Sequence, residues 1–569
     1  MADVEPGSAG IPIERSTSVQ PTARSVGLAA LAIMALDMPP PLIGPVSAGE
    51  AWTPAILTDP ALADTYLPDF SYAGYHWGEE PPPHPPATLD VTDFGAVADD
   101  REDDTAAILE ALAVANAALG PVVLQFPVGR FIVRDILYIK RSDFILRGAG
   151  SAPGGTVLEI PVALKDLRRP EALDELQEYL IRGDMREKET GYVFSVYSWM
   201  GGFIWPRVPG KRIYPYLADF DTPSEVLALA SDGKRGEHTF TVDSTSRLEV
   251  GDRLRIEWYN TEGKRGSLLE HLYMSKAVEI GSRHWENPER ALIFQDVTIT
   301  ALDGTTVTTK EPLLHDLRTD WDTALTETDL LAEVGIEGLR IEFPETLYDR
   351  HHLEAGYNAI YLTSVTHSWV RDVRIVNADS GILSDDASQV TIEDVRVSGR
   401  PMHYGVHLGR VSGMLAKHLE IGASAEHPLS FNTYAKASVF TDVDMLLNAR
   451  LDQHRGSNHQ NLFDDIRIVA ASDKSQIFKH GGASYWRPTH GAFNTLWNIQ
   501  VEFAPEVPDG ETIDLKGEDE GPHARIVGFS ANRPIAFEYG PDAYIEGVNR
   551  PGISVPSLHE YQLRERLKR

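Results

Sequence analysis

A parallel β-helix, an all-β solenoid carrying an inserted β subdomain, is the fold class this sequence predicts, on three observations. Short strand-like segments recur at near-constant spacing through the C-terminal half. A helix with strands close behind it opens the regular part of the chain. Between the two lie stretches of alternating polarity that read as hairpins. The 569 residues exceed the usual size of one domain, but a solenoid grows along one axis and escapes that limit.

The elements follow in chain order. Residues 1–90 read as a signal-like and Pro-rich lead-in: SVGLAALAIMAL at 25–36 resembles the apolar core of a signal peptide, and EEPPPHPP at 79–86 should run extended. Residues 91–160 read as a cap and first coils. There Ile108, Leu109, Leu112, Ala115 and Leu119 give a helical apolar face begun by Asp103 and Asp104, and strands follow in VVLQFPVGRFIV (122–133) and FILRGAG (144–150). Residues 161–335 hold a charged helical piece at 171–189 and hairpin-like stretches at 238–260 and 290–310, the second with an Asp-Gly turn at 303–304. Residues 336–545 are the main coils and 546–569 a C-terminal tail.

The run from VTDFGAVADD through DDTAAILEAL to VVLQFPVGRFIV and FILRGAG resembles the N-terminal cap and first coils of the pectate-lyase-like β-helix superfamily, over about 60 residues. The resemblance implies a right-handed parallel β-helix and membership among polysaccharide lyases and related glycoside hydrolases. It does not by itself choose a chemistry, because such folds host several.

The repeat is clearest from 336 onward. With Asp372, Asp394, His418, Asp442 and Asp465 as equivalent positions, the steps are 22, 24, 24 and 23 residues. That is the length of one coil whose strands bury alternate side chains. The formal charge is −32, which disfavours nucleic acid and anionic membranes as partners. With no cysteine, disulfide and thiolate chemistry are excluded. Secretion or a periplasmic location is the expectation from the 25–36 run, and no other apolar run is long enough to span a membrane.

Eight of the 19 histidines fall between 400 and 490, where ten Lys and Arg outnumber eight Asp and Glu. Phased on the repeat, His407, Asn432, Arg455 and Lys479 should stack, with His403, Tyr434, His454, His459 and His480 beside them in a groove. Tyr485, Trp486, Arg487 and Trp497 offer stacking platforms for sugar rings. Glu354 and Tyr357 are expected on a bordering loop. His351, His352 and Glu354 lack the HExxH spacing of a zinc site and show no third ligand in sequence, so no metal and no cofactor is expected.

The main functional expectation is metal-independent β-elimination on an acidic polysaccharide. His403, Tyr404, His407, His454 and His459 would supply base and acid, with Arg455 beside the uronate carboxylate. The alternatives are a glycoside hydrolase drawing on Asp379, Asp385, Asp386, Asp452, Asp464 or Glu354, and a non-catalytic glycan-binding β-helix. Oligomeric state is open.

Overall fold

The computed structural model describes residues 51–63, 65–183, 193–213, 225–348, 350–447 and 449–569, all within one compact unit spanning Gly49–Arg569. The 25–36 run lies outside the described residues.

Among those residues 23 strands join one hydrogen-bonded sheet whose neighbours run parallel, and helices are few. Phe144–Arg147 pairs with Val334–Glu342, which pairs with Asn358–Val376, then Ser380–Ser398. From there two parallel ladders continue. One runs through Met402–Leu408, Ala425–Phe431, Leu451–Gln453 and Phe478–His480. The other runs through Leu415–Ile421, Val439–Met445, Leu462–Ala470, Thr495–Phe503 and Arg525–Val527. Each residue pairs with the one a repeat further on, so apolar side chains stack in columns. Val373, Val395, Leu419, Val443, Ile466 and Ile499 form one such column, fully or almost fully buried.

The repeat's reference residues turn out to be its corners. Asp372, Asp394, His418, Asp442 and Asp465 all have φ between 48 and 55°, and the strand pairing skips the first two. Asp, Asn and His tolerate this left-handed conformation better than branched residues do, which is why a polar residue recurs there inside an otherwise apolar pattern.

The first helix spans Thr105–Ala117 and buries Ile108, Ala111, Leu112 and Ala115. Asp103 accepts the Thr105 amide at 3.0 Å, while Asp104 accepts the amides of Val97 and Ile132 at 2.8 and 2.9 Å. Leu119, expected on the apolar face, falls beyond the helix and is exposed.

Between the coils sits a closed antiparallel barrel of six strands from Val226–Ser231 to Asp322–Glu327. The 290–310 stretch forms its hairpin, Ala291–Asp303 with Thr306–Thr309. The 238–260 stretch does not fold on itself: Thr239–Val242 and Arg253–Tyr259 pair with other strands, because closing the barrel satisfies both of their edges. Partly buried Arg255 joins barrel to coils, 2.7 Å from Asp296 and 2.8 Å from Asp386.

The segment from 51 to 90 is part of the fold. Trp52, Phe70 and Tyr75 are buried, each anchor contributing about 2–3 kcal/mol of apolar burial. The backbone of Trp52 bonds to Gly552 and Ser554, Phe70 N–H donates to Gln562, and Gly74 N–H donates to Gly413. At the other end of the chain, the helix Leu558–Leu567 is held by Asp464, which accepts the Ser557 hydroxyl at 2.5 Å and the Leu558 amide at 2.9 Å.

Candidate active site

The structure gathers His351, His352, His403, Tyr404, His407, His427 and His454 where the first ladder meets the loop 344–357. Strand pairing starts the assembly: Tyr404 stands opposite His427, and their rings stack at 4.9 Å. His403 stacks on Tyr404 at 4.1 Å, and His427 meets His454 edge-on at 4.7 Å. The loop then lays His351 over His403 and His427, at ring distances of 4.4 and 5.7 Å. The loop covers His403, which is buried although alternation assigns it to an open face; His407, assigned to the same face, is buried beside Tyr404 at a ring distance of 4.8 Å.

Two buried carboxylates back the cluster. Asp452, which is 0% exposed, accepts the Ser430 hydroxyl at 2.6 Å and stands 3.0 Å from His427 Nδ1 and 3.1 Å from His454 Nδ1. Burial opposes its ionisation, yet the two histidines hold its carboxyl well below the usual range. Glu354 stands 3.2 Å from His403 Nδ1 and accepts the Tyr348 hydroxyl at 2.8 Å. Burial pushes His407 down to about 3 and His427 to about 4, so both rings are neutral at pH 7.

His454 connects this interior to a small cleft of about 70 Å³. Its walls include Tyr179, Trp199, Tyr485 and Trp486, with Asn432 and His454 at the inner end. Asn432 donates to the Tyr404 hydroxyl at 3.3 Å, tying the cleft to the cluster.

The stacked column differs from the sequence expectation. His407 pairs with Ser430, Ser430 with Asp452 and Asp452 with Lys479. Asn432 and Arg455 lie past their strand ends, because successive coils reach the next strand after different turn lengths. Arg455 lies 3.6 Å from Glu520, and Lys479 pairs with Glu426. His480 lies 2.6 Å from Glu518, and Arg487 lies 2.6 Å from Glu279 and 3.2 Å from Glu520. His459 is apart from the cluster, its ring 2.8 Å from His315 beside the barrel. Tyr434 packs edge-on against Trp486 at 5.7 Å. Tyr357 packs near Phe343 and Arg400, and Trp497 is buried on another flank with its N–H donating to Val555.

Four residues of the cluster and its backing were outside the sequence-derived groove: His427, Asp452, His351 and His352. The first two had a signal, since His427 lies 23 residues after Tyr404 and Asp452 lies 22 after Ser430, one repeat in each case. The expectation that His351 and His352 lack a third ligand partner is corrected, because the coils bring up His403, with ligand atoms of all three within 4.8 Å of one another. His427, Asp452 and His454 form a second such trio.

Fold and site thus define a parallel-stranded coil protein with a histidine–carboxylate centre opening on an aromatic cleft. Residues 88–158 match the family model described as rhamnogalacturonase A/epimerase, pectate lyase-like, as the cap motifs imply. Within curated proteins the chain is similar to an alpha-1,3-galactosidase A of Peterkaempfera griseoplana, 32% identical over 80 residues covering 14% of this chain and 11% of that one. It is also similar to a polygalacturonase of Prunus persica, 42% identical over 69 residues covering 12% and 18%. The chain thus matches less than a fifth of either relative's length. Among solved structures, a tailspike protein of Pseudomonas phage LKA1 aligns over 81% of both chains at 12% identity and a TM-score of 0.43. An exopolygalacturonase of Thermotoga maritima aligns over 82% of this chain and 94% of that one at 8% identity and a TM-score of 0.33.

Proposed function

We propose that this chain is a carbohydrate-active enzyme, a right-handed parallel β-helix, that hydrolyses a glycosidic bond in the aromatic cleft. The observation that carries the reading is the Asp452–His454 pair: a fully buried carboxylate holds the one histidine of the cluster that lines the cleft. His454 Nδ1–H donates to Asp452, which leaves Nε2 as the base that takes the proton of a water attacking the anomeric carbon, while the glycosidic C–O bond breaks and the departing oxygen takes a proton from solvent in the cleft. Tyr179, Trp199, Tyr485 and Trp486 offer ring faces and edges to a sugar. The other candidate carboxylates are engaged elsewhere. Asp379 is held by Arg400, Asp385 by Arg410, Asp386 by Arg255 and Lys211, and Asp464 by the C-terminal helix.

The cations that the elimination reading assigns to a uronate, Arg455, Lys479 and Arg487, are each paired with carboxylates, which leaves Arg283, donating to the Tyr179 hydroxyl at 3.3 Å, as a cation of the cleft wall that can also hold a polar sugar group. The two curated relatives, each matched over a short stretch, are named a galactosidase and a polygalacturonase, neither of them a lyase. The substrate is a polysaccharide or oligosaccharide, and the location is secreted or periplasmic. Among the described residues no helix is long and apolar enough to cross a membrane.

The test is a panel of neutral and uronate-containing glycans, read for reducing ends and for ultraviolet absorbance of unsaturated products. Reducing ends without absorbance, lost in His454→Ala, are expected. Absorbance from the wild type would return the reading to a lyase, and neither signal would make the chain a glycan-binding protein.

A further inference from the structure

We propose that His351, His352 and His403 form a binding site for a divalent transition-metal ion of the zinc class, oriented from behind by Glu354. The Nε2 atoms of His351 and His403 face each other at 2.9 Å. Two imidazoles on a tetrahedral zinc stand about 3.3 Å apart, from Zn–N bonds of about 2.05 Å, so the pair need open by only a few tenths of an ångström. One ligand atom of His352 completes a set lying within 4.8 Å of one another.

The surroundings are built for a cation. His403 is 0% exposed, and its Nδ1 lies 3.2 Å from Glu354. A carboxylate there fixes the tautomer that leaves the Nε2 lone pair facing His351, the arrangement that orients metal-ligating histidines. Glu354 is itself held by the hydroxyls of Tyr348 and Ser198 and by the His352 backbone N–H at 3.0 Å. His352 is confined between Phe194 and Trp199 at ring distances of 4.3 and 5.0 Å. Three imidazole nitrogens select a transition metal over calcium or magnesium, which take oxygen ligands. The site adjoins the Asp452–His454 pair through His427, whose ring lies 5.4 Å from His403 and 4.7 Å from His454, but shares no residue with it, and the inference does not depend on the hydrolase reading.

The test uses the full chain without a histidine tag, stripped with chelator, dialysed, and titrated with Zn²⁺ by calorimetry and with Co²⁺ by visible absorption. The wild type is expected to take up an equivalent that His351→Ala and His403→Ala lose, with a nitrogen-ligated Co²⁺ band disappearing in step. Glu354→Gln should keep the stoichiometry and weaken affinity by about 10–100-fold. His418→Ala, in the exposed corner column, should bind as wild type does. If His403→Ala does not fold, as judged by circular dichroism, His351→Ala on the loop carries the test. No uptake by the wild type, or unchanged uptake in the folded His351 and His403 variants, overturns the proposal.

Discussion

Replacing Asp452 by Asn tests the proton path with almost no change in volume. Asp452 now accepts from Ser430 and His454, with His427 Nδ1 3.0 Å away. An asparagine offers an amide N–H₂ towards at least one of those imidazoles. Where it faces His454 Nδ1, that nitrogen must become an acceptor, and the proton moves to Nε2, the atom that should act as base. Loss of a positioned base costs about 10²–10⁴-fold in rate, equivalent to about 2.7–5.4 kcal/mol in the barrier. The loss should fall on kcat, because Asn432, Tyr485 and Trp486 keep their places and KM reports mainly them. The assay is initial-rate release of reducing ends by wild type, Asp452→Asn, His454→Ala and the double variant, with circular dichroism to confirm folding. Residues that act as a unit are not additive, so the double variant should be no slower than the worse single one. A folded Asp452→Asn enzyme within threefold of wild-type kcat would refute the reasoning outright.

Tyr485→Ala should raise KM by about fivefold with kcat retained, the effect of about 1 kcal/mol of ring contact; an unchanged KM removes Tyr485 from the sugar-binding wall. Arg255→Leu leaves Asp296 and Asp386 buried without their guanidinium and should cost about 3–5 kcal/mol in urea unfolding; a cost under about 1 kcal/mol would mean water or Lys211 compensates. Burial raises the Asp464 carboxyl to about 7, above its unfolded value of about 3.9. The native state therefore binds the extra proton between those values, and this group's contribution to stability falls as pH rises from about 4 to about 7. Asp464→Asn should flatten that part of the stability–pH curve, and an unaltered slope in denaturant titrations counts against the assignment.

The parallel ladder was legible because a repeat of 22–24 residues converts directly into register: the positions chosen as equivalent in sequence are the corners of successive coils. The hairpin at 291–309 was legible from its alternation and its Asp-Gly turn. Lateral contacts were not. Nothing in DRHHLEAGY says that its histidines fold onto a rung 50 residues later, since a loop's landing place depends on what it covers rather than on its own period. The same limit hid the roof over His403. Phase also decays through turns of unequal length, which is how Asn432 and Arg455 were placed in a column that Ser430 and Asp452 occupy. The sequence showed the acidic partners as residues, but not which cations they neutralise.

The strap formed by residues 52–76 changes how this molecule should come apart. A stack of repeats ordinarily frays from its ends, because each coil leans only on its neighbours and terminal ones have half the support. Here Trp52 is bonded to Gly552 and Phe70 to Gln562, which ties this strap to the last coils. It also reaches inward to Thr391 through the Tyr75 amide and to Glu333 through the Tyr75 hydroxyl. Peeling a terminal coil therefore means releasing contacts several coils away. The molecule should resist mild heat until a single late transition, while one cut near residue 60 would restore the stepwise unravelling of an open stack.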